Sequence, residues 1–458
     1  MELPKAFTQY TQNILGEEEF NALLKALEEP SPTSIRTNPL KPCNKIPQGT
    51  EKVPWCSFGY YLAERPSFTL DPLFHAGCYY VQEAASMFLA QVVKHYVDAP
   101  VVALDLCAAP GGKSTLLADS LPEGSLLVAN EVMRQRSQVL AENLTKWGNT
   151  HVVVTNNEAI DFQPLENFFD VILTDVPCSG EGMFRKDQGA IDDWSTDNVN
   201  LCWQRQRSIL ADIWPCLKPG GLLVYSTCTY NTLENEENVV WIAQELGADV
   251  LSVPIEKEWN ITSSLYKEEL PVYRFLPSRT KSEGLFMCIL RKYGEGEDVE
   301  IPKRKTKKDK NKKQNAVQPV PRECKEWLLQ AQDYIYTWLH DVALAFPVAY
   351  QQQYQQLVST LKLLHAGIEL GSVKGRDFIP HHALAISPQR RTDSFPIVEL
   401  EYDQAIDYLR REVIVLPTTA PRGYVVVTYQ NIPLGWVKNL GQRANNLYPN
   451  EWRIRIKV

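Results

Sequence analysis

The chain has 458 residues, 44% of them hydrophobic, which fits a well-cored globular protein of two or three domains. No run approaches the roughly 18 uncharged apolar residues of a membrane span and the start lacks a signal-peptide pattern, so a cytoplasmic protein without a membrane partner is expected. A net charge of −8 argues at face value against nucleic acid, and ten cysteines with no Cys-x-x-Cys and no Cys/His cluster at zinc spacing exclude a disulfide scaffold and a metal site.

From the N terminus, Phe20, Leu23, Leu24 and Leu27 fall at helical spacing within residues 17–28 and predict one buried helix face. SIRTNPLK (34–41) follows, in which Arg36 reads locally as a surface ion-pair partner, and YYVQEAASM (79–87) leads into an amphipathic helix. Residues 1–95 therefore read as a small α+β lead-in domain.

Residues 96–293 alternate strand and helix. Strands are expected at 101–106, 126–130, 151–155, 170–175 and 222–227, with a late one at 284–290; helices are expected up to about 120, at 134–146, at 201–217 and at 234–246. That alternation predicts an α/β domain with a Rossmann-like, doubly wound parallel sheet. The organising stretch is VVALDLCAAPGGKS (101–114), an apolar strand breaking into a glycine turn before a helix. Gly111 and Gly112 let backbone approach a ligand, beside the unpaired N–H groups of a helix start. A Pro-Gly-Gly turn also occurs as a plain connection. Neither G-x-G-x-x-G nor G-x-x-x-x-G-K-[ST] is present, which counts against NAD and ATP. The next strand, LLVANE (126–131), ends in Glu131, where such folds hold ribose hydroxyls. A ribose-bearing cofactor without phosphates, S-adenosylmethionine, fits both features.

FDVILTDVPCSG (169–180) and GGLLVYSTCTY (220–230) each deliver a cysteine at the C-terminal end of a buried strand. Ligands of open α/β sheets sit beyond those ends, so Cys178 and Cys228 should converge on the glycine-loop pocket. Enzymes that methylate exocyclic amines usually carry Asp/Asn-Pro-Pro-Tyr/Phe where this chain has Asp175-Val-Pro-Cys178, a departure that points away from nitrogen methylation. Cytosine C5 becomes nucleophilic only when something adds to C6, and a thiolate adds reversibly at neutral pH. A base must then remove the C5 proton, a task for a second cysteine, while Asp175 would hydrogen-bond the N3/N4 edge of the base. The residues alone leave open which cysteine attacks.

DLCAAPGGKS, TDVPCSGEGMFRKD and YSTCTYNTLENEENV together resemble, in order and spacing, the motifs of the RNA cytosine-5 methyltransferases of the Sun family. The resemblance implies that Cys228 is the nucleophile and that Cys178 assists product release. It implies a cofactor site made of Cys107, Ala108, Ala109, Pro110, Gly111, Gly112 and Lys113, with Glu131 on the ribose, Glu158 or its neighbour Asn157 near the adenine, and Asp175 beside the methyl group and the base. Lys113 is expected to point into the catalytic pocket. SIRTNPLK and YYVQEAAS are similar to the family's Arg-x-Asn and Tyr-x-Gln-[Asp/Glu] elements, which pack by the cofactor pocket in relatives; Arg36 is placed with the RNA-binding residues. RKDQGAIDDWS is similar as well and puts Arg185 and Lys186 close to the RNA strand. The cysteines at 43, 56, 78, 202, 216, 288 and 324 read as core or surface thiols.

Residues 294–322 contain KRKTKKDKNKK (303–313), with eight basic residues and one acid, so this segment carries +7 and the remainder −15. It reads as a flexible linker, or as a tether on RNA phosphates. Residues 323–458 read as a separate unit with a helix over 324–339 and a strand over 423–429. Its end interleaves Trp436, Lys438, Arg443 and Tyr448, residue types that stack bases and hold phosphates. This tail resembles the C-terminal part of the family's RsmF branch, which acts on 16S ribosomal RNA and carries a PUA-like, β-rich RNA-binding module. His381 and His382 read as structural. The expectation is therefore a monomeric, S-adenosylmethionine-dependent RNA cytosine-5 methyltransferase with 16S rRNA or the small ribosomal subunit as partner and no obligate protein partner. The alternatives are transfer RNA as substrate, or an RNA-binding ribosome-assembly factor.

Overall fold

The computed structural model describes residues 2–43, 50–266, 269–294 and 319–456. The basic run 303–313 lies outside the described residues. No described helix is long and apolar enough to cross a membrane.

A nine-stranded sheet organises the chain. Five strands run parallel in the spatial order Leu217–Thr227, Phe169–Asp175, Val102–Asp105, Leu126–Asn130 and Val152–Thr155. Most of their residues are buried on both faces, as near-continuous apolar runs require, and each fully buried Val, Leu or Ile contributes about 1.5–3 kcal/mol. The chain winds outward from Val102–Asp105 to Val152–Thr155, then crosses back to Phe169–Asp175 on the other side. The order therefore reverses between Val102–Asp105 and Phe169–Asp175, where a crevice opens at the carboxyl ends of the strands. The helix expected at 201–217 begins earlier, because the Ser195 hydroxyl caps it by accepting the Asn198 N–H at 3.1 Å. It stops at Ile213, ahead of Pro215.

The sheet is mixed rather than wholly parallel. Leu285–Lys292 runs antiparallel to Leu217–Thr227 and in turn pairs antiparallel with Ala248–Leu251 and Val272–Phe275. At the opposite edge, Leu363–Ala366 adds an antiparallel strand to Val152–Thr155. Leu344, Phe346, Tyr354, Leu357 and Leu363 share one core with Val153, Phe162 and Phe169. The part of the chain expected to stand apart thus completes the central sheet.

The expected helix over 324–339 is a 3-10 turn, Arg322–Trp327, followed by the strand Tyr334–Leu339. YIYTWL is aromatic and β-branched and pairs with Val342–Pro347. These two strands open a four-stranded sheet that ends at Asp377–Pro380, and beyond it lies a second one made of Ile397–Glu399, Gly423–Tyr429, Ile432–Asn439 and Ala444–Asn446.

The N-terminal sheet (Glu51–Lys52, Gly59–Leu62, Thr33–Thr37, Tyr79–Val81) packs Ile35, Leu62, Leu73 and Tyr79 into one core with Leu400, Tyr408, Leu409, Val425 and Val427. The N-terminal helices Lys5–Leu15 and Glu17–Glu28 bury Phe7, Phe20, Leu23 and Leu27 against Phe184, Trp194 and Tyr230. Phe7 meets Phe184 and Trp194 edge-on with ring centroids 5.0 and 5.3 Å apart. The N terminus therefore braces the segment that follows Cys178.

Candidate active site

Val102–Asp105 ends in a loop that runs through Cys107, Ala108, Ala109 and Pro110 into the helix Gly112–Ser120. Gly111 sits at φ +116°, where L side chains are strained, and an added Cβ would come 3.3 Å from Leu140. No side chain caps this helix, so its first N–H groups face the crevice without a side-chain acceptor. Asp105 is fully buried. Its Oδ2 accepts the Ser114 hydroxyl at 2.7 Å, its Oδ1 has no partner, and burial raises the carboxyl to about 7. Glu131 follows the adjacent strand and is buried; it accepts the Met133 N–H at 2.9 Å and lies 3.5 Å from Arg136.

Asn130, which the sequence did not single out, ties three strand ends together. Its amide donates to the carbonyls of Leu106 and Asn157 at 3.1 and 3.0 Å. Its carbonyl accepts the Thr155 hydroxyl at 2.9 Å and the Asn157 N–H at 3.0 Å.

Across the switch point, Asp175 is in register with Ser226 on the neighbouring parallel strand. That register aligns the loops beyond them and brings Cys178 Sγ to 3.2 Å from Cys228 Sγ. The Cys228 N–H also donates to Cys178 Sγ at 3.3 Å. Both thiols are free. The Cys228 sulfur and burial together push the Cys178 thiol well above the ordinary cysteine range. Beside the pair, Lys113 Nζ donates to Asp175 Oδ2 and Ser226 Oγ to Asp175 Oδ1, each at 2.8 Å. Burial pulls the Lys113 ammonium down, but the charge and hydrogen bond of Asp175 outweigh it and the net shift is upward. Lys113 points into the site and is held as a cation. Cys107, in the glycine loop, is pushed up by burial and the surrounding carboxylates.

Two buried carboxylates near the cysteines also escaped the sequence reading. Glu234 accepts hydrogen bonds from the Ser179 N–H at 3.0 Å, Gln206 Nε2 at 2.7 Å and Asn231 Nδ2 at 2.8 Å. Glu181 accepts from the Tyr230 N–H and from Trp194 Nε1, the latter at 3.0 Å. Both lie inside quoted motifs, GEGMF and NTLENEEN, but acidic residues in such runs ordinarily face solvent and nothing in the spacing marks these two as buried.

Four residues expected on RNA are interior. Arg36 is 0% exposed: its guanidinium pairs with Asp119, donates to Gln82 Oε1 at 2.9 Å and to the Thr115 hydroxyl, and lies 4.3 Å from the Trp147 ring centroid. The Arg185 side chain is 6% exposed and donates to Glu283 at 2.8 Å. Trp436 and Tyr448 are each 1% exposed, the indole N–H going to the His381 carbonyl at 2.8 Å. Their apolar area fills the C-terminal cores instead of meeting bases. Lys186, Lys438 and Arg443 do reach solvent. Asn157 spends its side chain on the backbone of Lys362, with bonds of 3.3 and 3.1 Å, while the exposed Glu158 caps the turn Ala159–Phe162 through a reciprocal bond with Asp161.

Residues 97–291 match the family described as 16S rRNA methyltransferase RsmB/F, residues 3–84 the N-terminal domain of 16S rRNA methyltransferase RsmF, and residues 395–454 the methyltransferase RsmF PUA domain. The chain is 30% identical to ribosomal RNA small subunit methyltransferase F of Enterobacter sp. (strain 638) over 94% of its own length and 92% of that protein's. Against the enzyme of the same name from Aliivibrio fischeri (strain MJ11), identity is 30% over 98% and 97%. Among solved structures, a methyltransferase homolog protein from Pyrococcus horikoshii is 29% identical, with a TM-score of 0.55, and covers 63% of this chain and 95% of its own. NSun6 from the same organism, solved with SFG, shares the fold with a TM-score of 0.54 over 64% of this chain and 99% of its own, at 22% identity. A switch-point crevice carrying a glycine loop, a Lys-Asp pair and two touching thiols, in a chain matched almost end to end by these relatives, belongs to the ribosomal RNA small subunit methyltransferase F family.

Proposed function

We propose that this protein methylates C5 of a cytosine in 16S ribosomal RNA, using S-adenosylmethionine, through a covalent adduct between Cys228 and C6 of the base. The observation that carries the reading is the 3.2 Å separation of Cys178 and Cys228 beside the Lys113–Asp175 pair. Methylation at nitrogen has no use for two thiols in contact.

The cofactor fits the residues present. The unpartnered Asp105 Oδ1 and the uncapped helix start leave polar groups that a zwitterionic ligand would satisfy, Glu131 suits a ribose diol, and Gly111 leaves the backbone open to close approach. When bound, S-adenosylmethionine supplies an electrophilic methyl group on a sulfonium.

The protein's own groups account for the rest. The attack is assigned to Cys228, as the resemblance of its Thr-Cys-Thr motif to the family implies. The Lys113 ammonium is the cation that interacts electrostatically with Cys228. The Cys228 thiolate would give an electron pair to C6, making C5 nucleophilic toward the methyl group of a bound cofactor, whose sulfur would keep the electrons of the broken sulfur–methyl bond. Asp175 lies where it would accept from the base's amino edge and orient the ring. Cys178, after passing its own proton to solvent, would remove the C5 proton; the double bond re-forms and the electrons of the Cys228–C6 bond return to the Cys228 sulfur. The target base must be splayed out of its stack for the Cys228 thiol to reach C6.

The test is methyl transfer from labelled S-adenosylmethionine to small ribosomal subunits, naked 16S RNA and bulk transfer RNA, followed by mapping of the modified base. 5-Methylcytidine in subunits or in 16S RNA is expected. Label confined to transfer RNA would keep the chemistry and overturn the substrate, and label at a nitrogen would overturn the mechanism.

A further inference from the structure

Each cysteine loop is gripped by a carboxylate supplied by the other. Glu234, six residues after Cys228, accepts the Ser179 N–H next to Cys178, and the Ser179 hydroxyl as well. Glu181, three residues after Cys178, accepts the Tyr230 N–H just beyond Cys228. Asn231 Nδ2 bridges the two, donating to Glu234 at 2.8 Å and to Glu181 at 3.2 Å. Further ties are the 2.9 Å contact of Ser179 Oγ with Thr229 Oγ1 and the Gly182 N–H donated to the Cys228 carbonyl at 2.8 Å. Gln206 fixes the base of the assembly, donating to Glu234 and to the Pro177 carbonyl.

Both carboxylates are 0% exposed, and the donors that reach them are neutral N–H and O–H groups. Burying two acids so close together is costly unless hydrogen bonds compensate, and here those bonds tie the two cysteine loops to each other. Release of the methylated base needs that geometry. While Cys228 is bonded to C6, Cys178 must reach the proton on the adjacent C5, so both sulfurs have to sit on neighbouring ring atoms at once. Attack on C6 needs Cys228 alone.

We propose that Glu234 and Glu181 are positioning residues that hold Cys178 and Cys228 at contact distance, and that this register governs release of the product more than formation of the adduct. The inference rests on the cysteine roles proposed above.

The experiment uses the full-length protein with Glu234→Gln, Glu234→Ala, Glu181→Gln and Ser179→Ala, in two arms. Without RNA, diamide oxidises two thiols to one disulfide and is itself reduced to the hydrazine; the Cys178–Cys228 crosslink is quantified by mass spectrometry. The crosslink should form about tenfold more slowly in Glu234→Ala, with partial rescue in Glu234→Gln, which keeps one acceptor oxygen, and by about threefold in Ser179→Ala, which loses only a hydroxyl. With RNA, wild type and variants should trap 5-fluorocytidine RNA covalently at rates within about threefold of one another, whereas on ordinary RNA the carboxylate variants should accumulate adduct that wild type releases. Wild-type rates of crosslinking and release in Ser179→Ala and in every carboxylate variant that folds would overturn the clamp. If wild type itself trapped no 5-fluorocytidine RNA, the proposed chemistry would fall, and the diamide arm would still decide whether the carboxylates set the sulfur separation.

Discussion

Lys113 and Asp175 meet at 2.8 Å although they come from different elements, the helix after the glycine loop and the strand that leads to Cys178. With Ser226 on its other oxygen, Asp175 has both carboxylate oxygens held by hydrogen bonds. Replacing Lys113 with Met removes the cation beside Cys228 and releases one of those constraints. Single-turnover methyl transfer should fall by about 10²–10³-fold, with a smaller change in RNA affinity. An equal loss in affinity would mean that Lys113 binds RNA rather than supports the chemistry.

The two cysteines should fail differently. Cys228→Ala is expected to abolish methyl transfer and adduct formation together, whereas Cys178→Ala should form the adduct and stall, giving a shifted band on a denaturing gel. A trapped band in the Cys228 variant would reverse the roles.

Arg36 supports stability rather than RNA contact. Its guanidinium is the cation beside the buried Asp119, so Arg36→Ala strands that carboxylate and should cost about 3–5 kcal/mol in urea unfolding. RNA affinity of the variant that remains folded in the cold should match wild type. A stability loss below about 1 kcal/mol, with weakened RNA binding, would restore Arg36 to the RNA surface.

Asp105 predicts a pH dependence. Its carboxyl is raised from 3.8 to about 7 in the folded state by burial, so the folded protein binds the extra proton between those values and loses stability as pH rises through about 7. From about pH 6 to about pH 8 the loss attributable to this group is on the order of 1 kcal/mol, and Asp105→Asn should flatten it. Parallel urea titrations of both proteins across that range would expose an unchanged slope, which would refute the assignment.

The strand Leu363–Ala366 covers the edge of Val152–Thr155. A protein ending before residue 323 would expose that edge together with the apolar face under Phe346 and Leu357. It should self-associate, as read by light scattering, where the full chain does not. A truncated chain that stays monodisperse would argue that the added strand is dispensable.

The parts of this molecule that were legible in the sequence are those whose signal is local. A fully apolar strand closed by a glycine turn or a cysteine loop announces its own position, and the convergence of Cys178 with Cys228 follows from parallel order. Arg36 was misread because its partners Gln82, Thr115 and Asp119 lie far along the chain, and burial of an arginine is visible only once they assemble. Trp436 and Tyr448 were misread because an aromatic residue between basic ones has the same pattern whether it meets a base or fills a core. Leu363–Ala366 left no trace as part of the central sheet, since pairing with an edge strand is decided by the partner's position. Glu234 stands in an acidic run and Glu181 between two glycines, contexts that look solvated until both loops close over them.

The core shared by Ile35, Leu73 and Tyr79 with Tyr408, Val425 and Val427 joins the two ends of the chain. During synthesis, the first of these residues leave the ribosome long before the last exist. The N-terminal sheet therefore keeps an apolar face uncovered until the residues after 400 have been made. Stalled chains lacking residues after 400 should be cleaved by protease within this N-terminal sheet, and the completed chain should resist.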